Sequence, residues 1–394
     1  MRIALLCSGL GNIYRGHEIF ARDLFELLKQ SVDITLFKGG GEPAPGEIVI
    51  DNISRNSVLV KDVHVAVSPK WEEAVKEQER LRIEAETFAY ASLKPLLEGG
   101  YDIIHCLEQE VCNIIYDQRH LFAKTPKVVF SNGGAIAARD LPRCDFVQEH
   151  TDYNLARSTK GKAFMIPHGV DTDLFHPAVK SDFRARHGIP KDAFVVITVG
   201  TICYWHKRMD HVIREVATVP DAYLVVVGQE CPDTPAIVAL GKELLGGRIV
   251  FTKMVHYDLP QAYAAANVFT LGSLHETFGI VYIEAMAMGL PVICTNHPNQ
   301  QSIVKEALFI DMKATGTLAS ALSQGNRGAL AGLGERGRAI VAEHYDLTKL
   351  KQRYIDKYRD ISAAGSSLKR YSLKTGLSAN LRNVLRNAKR VIGA

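Results

Sequence analysis

Short runs of strand-forming residues alternate with longer helical patterns along this chain, and the whole alternation occurs twice. In the first half, five runs are predicted as strands: Ile3–Cys7, Val32–Phe37, Ile103–Cys106, Lys127–Phe130 and Phe146–Gln148. Five more follow in the second half: Phe194–Val199, Tyr223–Gly228, Ile249–Phe251, Val268–Leu271 and Pro291–Cys294. Strands that alternate with helices, such as those predicted near 16–29 and 70–97, favour an α/β fold with parallel sheets. Two successive sets predict two doubly wound, Rossmann-like domains facing a central cleft, with ligands at the carboxyl ends of the strands.

The length of the chain agrees with two domains, because 394 residues exceed what one hydrophobic core usually organises. Pro167, Gly169 and Pro177 interrupt the pattern and mark the boundary. We therefore expect an N-terminal domain over 1–170 and a C-terminal domain over 178–345. A last helix over 346–362 returns to the first domain, and a tail occupies 363–394.

The cysteines argue against a fold held together by disulfides and against a zinc site. Seven of them are scattered along the chain and none forms a C-x-x-C pair, which argues against a disulfide framework and a zinc site and suits a reducing cytoplasm. The apolar start Ile3–Cys7 is too short to span a bilayer, and no run of about 18 apolar residues occurs elsewhere. We expect a cytoplasmic protein without a membrane span.

Charge is distributed unevenly. The net charge is +4, but residues 365–394 contain seven basic side chains and no acidic one, so the remainder carries −3 and no nucleic-acid partner is expected. Apolar residues recur at helical spacing between these cations. Such a basic amphipathic helix suits the inner face of an anionic membrane, and docking on the first domain or on another subunit is the alternative. The sequence does not specify an oligomeric state.

The segment His275–Val292 carries the strongest chemical signal. A strand ends at Leu271, a loop delivers Glu276, and a helix begins near Phe278 and Gly279. The first turn of a helix has unpaired N–H groups and a positive dipole end, which together bind a diphosphate. Glu276 then lies before the helix and Glu284 about two turns within it, so that one carboxylate can face a sugar while the other accepts hydrogen bonds from ribose hydroxyls.

A cation is needed beside a carboxylate and a diphosphate. Lys207 follows the first strand of the second domain, in the run Gly200–Asp210. Its ammonium could neutralise the charge that develops on a leaving nucleoside diphosphate.

These motifs resemble those of the retaining glycosyltransferases of family 4, which have the GT-B fold. Glu276 to Glu284 looks like the E-x7-E signature of that family, Pro167–Pro177 like its interdomain segment, and Tyr263–Phe269 like its Y-x-x-A-D-V-F passage. The first domain matches more loosely, through the glycine-rich loop Gly9–Glu18 and the strand at 101–105.

The resemblance implies retaining transfer of a hexose-like sugar from a UDP- or GDP-linked donor to a small-molecule or glycan acceptor, without a metal ion or other cofactor. The acceptor could be lipid-linked or part of a cell-envelope glycan. The predicted catalytic residues are Glu276 and Lys207. The predicted donor-binding residues are Gly11, Asn132, Thr201, His206, Lys207, Arg208, Thr277, Phe278, Gly279, Ile280 and Glu284.

Three positions depart from the family pattern. Thr201 stands where the family has an arginine, and His206 or Arg208 is the candidate to compensate. Asn132 stands where a histidine usually contacts the sugar, and the loop Thr295–Gln301 replaces a glycine pair and an acid. Two other functions stay open: a GT-B nucleotide-sugar epimerase, and a non-catalytic member that only binds a nucleotide or partner.

Overall fold

The computed structural model describes residues 1–13, 16–62 and 73–365. The predicted basic tail helix therefore lies outside the described residues. Within them the strands are β1 Arg2–Cys7, β2 Asp33–Lys38, β3 Glu47–Val49, β4 Ile103–Cys106, β5 Lys127–Ser131, β6 Phe146–Glu149, β7 Ala163–Met165, β8 Phe194–Val199, β9 Ala222–Val227, β10 Ile249–Thr252, β11 Val268–Thr270, β12 Val292–Thr295 and β13 Leu308–Ile310.

The α-helices connect these strands. Their bounds are α1 Gly16–Leu28, α2 Val58–Asp62, α3 Glu73–Gly99, α4 Gln109–Asp117, α5 Asp152–Leu155, α6 Phe183–Arg186, α7 Met209–Ala217, α8 Thr234–Leu245, α9 Leu259–Ala264, α10 Ile280–Ala287, α11 Pro298–Val304, α12 Thr317–Leu322, α13 Leu333–His344 and α14 Leu347–Ala363.

Two sheets organise the chain, as the two sets of strand patterns predict. The first has the order β3-β2-β1-β4-β5-β6-β7 and the second the order β10-β9-β8-β11-β12-β13. The central pairings, β1 with β2 and β4 in one sheet and β8 with β9 and β11 in the other, are parallel. The predicted α/β fold with two doubly wound sheets is confirmed.

Continuous apolar strands place each sheet between layers of helices. In β8, Val195 and Ile197 belong to one apolar cluster and Val196 to another, so the strand is covered on both faces. Helix α1 packs its apolar face through residues at helical spacing, among them Phe20, Leu24 and Phe25. These layers leave the loops at the carboxyl ends of the strands as the natural position for ligand-binding side chains.

The division of the chain differs from the predicted ranges. One compact unit, here called the N-terminal unit, contains the described residues of 1–149, 158–164 and 353–365, and the C-terminal unit contains 150–157 and 165–352. The segment at 150–157 joins the C-terminal unit because the hydroxyl of Thr151 donates to Asn299 at 2.8 Å and the ring of His150 stacks on His168. The main chain of Val170 likewise pairs with Tyr345, which ties the interdomain segment to the C-terminal unit.

In the part of the chain that the structure describes, none of the helices is long and apolar enough to cross a membrane.

Candidate donor-binding site

Strand order brings Lys207 and Glu276 together. Strands β8 and β11 are parallel neighbours, with Val196 opposite Val268, so the loops that follow them leave the same edge of the sheet. Lys207 lies in the first loop and Glu276 in the second. The two side chains meet at this edge, with Nζ of Lys207 2.6 Å from Oε1 of Glu276.

Two glycines make this approach possible. The aliphatic stem of Lys207 packs over Gly200, where an added Cβ would lie 3.0 Å from Cε of the lysine. An added Cβ on Gly272 would lie 2.9 Å from the main-chain oxygen of Lys207. Side chains at these two positions would push the lysine loop away from the sheet edge.

The carboxylate of Glu276 is nearly buried and fully bonded. Oε1 accepts hydrogen bonds from Lys207 and from the hydroxyl of Ser273, each at 2.6 Å, and Oε2 lies 3.4 Å from Nε2 of His206. Burial alone would raise the pKa of Glu276, but the charges of Lys207 and His206 lower it to about 2. Glu276 is therefore ionised at neutral pH and fixed in one orientation.

The main chain at Glu276 is held by two amide side chains. Nδ2 of Asn299 donates to the carbonyls of Glu276 at 2.7 Å and Thr277 at 3.0 Å, and Nε2 of Gln300 donates to the carbonyl of Glu276 at 2.8 Å. Both amides are fully buried. The loop Thr295–Gln301, which departs from the family pattern in sequence, thus positions the residue predicted to be catalytic.

Helix α10 begins directly after this loop. Its N-cap, Gly279, has φ +78°, a left-handed conformation that favours glycine, and an added Cβ would lie 2.7 Å from the ring of Tyr282. Phe278 is buried against the rings of His168 and Tyr345, while Thr277 and Ile280 are half-buried. The first turn of α10 therefore presents backbone N–H groups beside the Lys207–Glu276 pair.

The second glutamate of the pair is held by partners that sequence reasoning missed. Oε2 of Glu284 accepts from the hydroxyl of Tyr263 at 2.8 Å, and Oε1 lies 2.9 Å from Nε2 of His256. Glu284 is 2% exposed. Burial and the Glu284 charge raise the pKa of Tyr263 well above its usual value, so the tyrosine stays a hydrogen-bond donor.

Three other predicted residues occupy the Lys207 loop. Arg208 has φ +46° and its Nη1 donates to the carbonyls of Gly272 at 3.1 Å and Met312 at 2.6 Å, so its guanidinium braces the two loops. Thr201 is half-buried, and its carbonyl accepts from the main chain of Cys203. His206 is the polar side chain of this group that faces Glu276.

The predicted residues of the N-terminal unit have local partners. Gly11 has φ +93°, and an added Cβ would lie 2.1 Å from the carbonyl oxygen of Gly40. Nδ2 of Asn132 donates to Oε1 of Glu149 at 2.9 Å and to the carbonyl of Ile136 at 3.1 Å, while Oδ1 accepts from the main chain of Ile136 at 2.8 Å. Asn132 is 2% exposed, so in this structure its amide stabilises the loop after β5.

The fold is that of the GT-B glycosyltransferases. Sucrose-phosphate synthase from Thermosynechococcus elongatus superimposes with a TM-score of 0.73 at 23% identity, covering 93% of this chain and 100% of that one. HepE of Anabaena, solved in complex with UDP and glucose, gives a TM-score of 0.69 at 14% identity and covers 91% and 100%. WaaG, a glycosyltransferase involved in lipopolysaccharide biosynthesis, gives 0.63 at 16% identity, with coverage of 92% and 100%.

Residues 179–323, which lie within the C-terminal unit, match the family described as "Glycosyl transferases group 1". The predicted resemblance to GT-B glycosyltransferases is confirmed. Curated relatives named "D-inositol 3-phosphate glycosyltransferase", from Mycobacterium bovis and Mycobacterium tuberculosis, are 34% identical over 160 residues. This match covers 39% of the chain and 32% of each relative, so the chain matches about a third of their length.

Proposed function

We propose that this protein is a retaining glycosyltransferase that transfers a hexose-like sugar from a UDP- or GDP-linked donor to an acceptor. The observation that carries the proposal is the Lys207–Glu276 ion pair, 2.6 Å long, beside the first turn of α10. A cation, an ionised acid and a helix N-terminus in one place match the phosphates and sugar hydroxyls of a nucleotide sugar.

Each group has a separate part in the proposed transfer. The first turn of α10 and Lys207 bind the diphosphate, and Lys207 neutralises the charge that grows on it as the glycosidic bond breaks. Glu276 keeps its bonds to Lys207 and Ser273 through Oε1 and accepts hydrogen bonds from the sugar hydroxyls through Oε2. Glu284 accepts from the ribose, and the proton of the acceptor hydroxyl passes to the departing phosphate, so that attack occurs on the face that the leaving group vacates.

His206 is proposed as the second polar contact to the diphosphate. Lys207 shares its charge between Glu276 and the diphosphate, and the guanidinium of Arg208 is bonded to two carbonyls. The imidazole of His206 is 36% exposed and lies 3.4 Å from Glu276. His206 therefore supplies the second donor to the diphosphate, which the uncharged side chain of Thr201 does not replace.

The proposed acceptor is a glycan or a lipid-linked sugar. Support comes from the sequence of residues 365–394, whose cations and apolar stripe suit contact with anionic lipid. The proposed location is the cytoplasm, at the inner face of the membrane.

Water can serve as the test acceptor because the natural one is not identified. UDP-glucose and a GDP-linked hexose are each incubated with the purified chain, and released sugar is followed by proton NMR before mutarotation. Retention gives the α-sugar first from an α-linked donor, and Glu276→Gln abolishes the release. A changed sugar that stays attached to the nucleotide would identify an epimerase.

Nucleotide binding is measured in parallel by thermal unfolding. A ligand at 100 times its Kd stabilises the folded state by about 2.7 kcal/mol. If neither UDP nor GDP nor their sugars raise the melting temperature, the proposal is wrong.

A further inference from the structure

The N-terminal unit contains a cluster of metal-ligating side chains that the proposed transfer does not use. Cys7 ends strand β1, His17 lies in the first turn of α1, and Glu108 follows strand β4. Their ligand atoms all lie within 4.8 Å of one another. The parallel pairing of β1 with β4 brings these positions together, although 10 and 91 residues separate them in sequence.

Cys7 is buried and His17 and Glu108 are partly buried, but the cluster is incompletely bonded. Nε2 of His17, Oε2 of Glu108 and Oε2 of the neighbouring Glu18 are enclosed and make no hydrogen bond within the described part of the chain. Nε2 of His17 lies 3.6 Å from Oε1 of Glu108, too long for a hydrogen bond, and that oxygen is already bonded to the main chain and hydroxyl of Ser8. A buried polar atom without a partner destabilises the folded state. Two such atoms, in His17 and Glu108, beside one thiol indicate that something completes the cluster.

A small cation matches both the chemistry and the enclosure. The unbonded atoms are closed off from solvent although the His17 ring is partly exposed, which suits a small ion better than a sugar or a nucleotide. Thiolate, imidazole and carboxylate are together the ligand types of Zn²⁺, whereas Mg²⁺ and Ca²⁺ prefer oxygen alone. Two ligands at about 2.0–2.1 Å from a tetrahedral zinc ion lie about 3.3–3.4 Å apart, close to the His17–Glu108 separation.

We propose that Cys7, His17 and Glu108 form a zinc-type metal site, with a water molecule as the fourth ligand. The site lies in the N-terminal unit and does not depend on the function proposed for the C-terminal unit. It departs from the sequence expectation, which excluded zinc because no two cysteines are closely spaced.

The charges of the cluster favour a divalent ion. The carboxylates of Glu108 and Glu18 place negative charge close to the Cys7 thiol and the His17 imidazole. Binding replaces the S–H bond of Cys7 with a sulfur–zinc bond and releases the thiol proton, and any imidazolium proton, to solvent. Affinity should therefore rise with pH.

The surrounding side chains leave negative charge that can balance that ion. Among the residues that the structure describes, Arg55 is a nearby fixed cation, and its Nε and Nη2 are bonded to Oε1 of the buried Glu84 at 2.9 Å and 2.6 Å. Glu84 thus neutralises Arg55. The carboxylates of Glu18 and Glu108 remain to balance a divalent charge.

The test uses the untagged full-length chain, stripped with a chelator and titrated with Zn²⁺ and then with Co²⁺. We expect one zinc per chain by elemental analysis, and thiolate-to-cobalt charge-transfer absorption in the cobalt form. Cys7→Ser removes that absorption and His17→Gln weakens zinc binding by more than about tenfold. Cys294→Ser, which alters a buried thiol of the C-terminal unit, leaves both unchanged.

His17→Gln protects the test against misfolding, because His17 is partly exposed and the substitution keeps a polar side chain. Thermal unfolding verifies that each variant is folded. Absence of stoichiometric zinc, or equal binding by the wild type, Cys7→Ser and His17→Gln, would mean an adventitious ion only and would overturn the proposal.

Discussion

The ammonium of Lys207 lies 2.6 Å from Oε1 of Glu276, and the two side chains are only 15% and 6% exposed. Removing one partner of such a pair leaves a buried charge uncompensated, which costs about 3–5 kcal/mol. We therefore expect Lys207→Met to lower the free energy of unfolding by about 3 kcal/mol. The double variant Lys207→Met/Glu276→Gln should recover part of that stability.

Nucleotide binding separates the two roles of Lys207. Loss of a charged hydrogen bond to the diphosphate costs about 1.5–3 kcal/mol, so UDP or GDP affinity should fall about 10- to 100-fold in both variants. Titration calorimetry measures the affinity and urea unfolding the stability. Lys242→Met, at an exposed position of α8, is the matched control. Binding that recovers together with stability in the double variant would assign Lys207 a structural role alone.

The depressed pKa of Glu276 predicts how stability depends on pH. Burial opposes ionisation, but Lys207 and His206 lower the folded-state pKa to about 2 from the ordinary 4.5. A carboxyl group with a lowered pKa stabilises the fold above its unfolded-state value, and the contribution is lost as pH falls from about 4.5 toward 2. The difference in unfolding free energy between wild type and Glu276→Gln should therefore shrink between pH 6 and pH 3.5.

An exposed glutamate provides the comparison. Glu98 is 66% exposed beside Lys94, so Glu98→Gln should change stability little at any pH. A wild-type minus Glu276→Gln difference that stays constant across the same range would contradict the ion pair.

Much of the fold was predictable because its signals are local. Runs such as Ile103–Cys106 and Phe194–Val199 are long, apolar and β-branched, and both strands have the predicted bounds. Strands β3, β7 and β13 were missed, since each has only three residues and at most half-buried side chains. Such segments form strands because a neighbouring strand pairs with them. This pairing leaves no pattern in the local sequence.

The site was predictable only in part, for the same reason. Glu276 and Lys207 follow predicted strands, so their meeting could be inferred from strand order. Asn299 and Gln300 reach the main chain of Glu276 across 23 and 24 residues. A single sequence contains no local pattern that indicates hydrogen bonds between residues so far apart.

Because Tyr263 and His256 are bonded to Glu284, we expect recognition of the ribose to depend on these two residues as well as on Glu284. Both fix the carboxylate, at 2.8 Å and 2.9 Å, so their loss lets Glu284 rotate. A hydrogen bond to a charged group contributes about 1.5–3 kcal/mol, so the wild type should prefer UDP over 2′-deoxy-UDP by about 10- to 100-fold. In Glu284→Ala this preference should disappear. His256→Gln and Tyr263→Phe should each reduce that preference several-fold.

The ratio of the two dissociation constants is the measurement, because a general loss of folding would affect both nucleotides equally. Tyr257→Phe, at an exposed neighbouring ring, is the control and should leave the ratio unchanged. An unchanged ratio in Glu284→Ala would remove the ribose from the proposed role of this residue.

The Asn132–Glu149 contact predicts a pH-dependent loss of stability rather than a loss of donor binding. Burial raises the pKa of Glu149 above its usual value, against the hydrogen bond from Asn132, which lowers it. Asn132→Asp would replace the donating amide, 2.9 Å from the glutamate, with a second buried carboxylate. Leaving a buried charge without its donor costs about 1–3 kcal/mol or more, so we expect at least that loss at pH 7.

The direction of the pH dependence follows from the direction of the pKa shift. Two facing carboxylates raise each other's pKa in the folded state, and a carboxyl group with a raised pKa destabilises the fold increasingly as pH rises through that pKa. The deficit of Asn132→Asp should therefore be larger at pH 7 than at pH 5, measured by urea unfolding. Glu149→Gln in the same chain should remove most of it, and Asn326→Asp, at an exposed position of the 3₁₀ helix Gln324–Leu330, should show no such change with pH. A deficit that does not change with pH would show that the repulsion between residues 132 and 149 is not its cause.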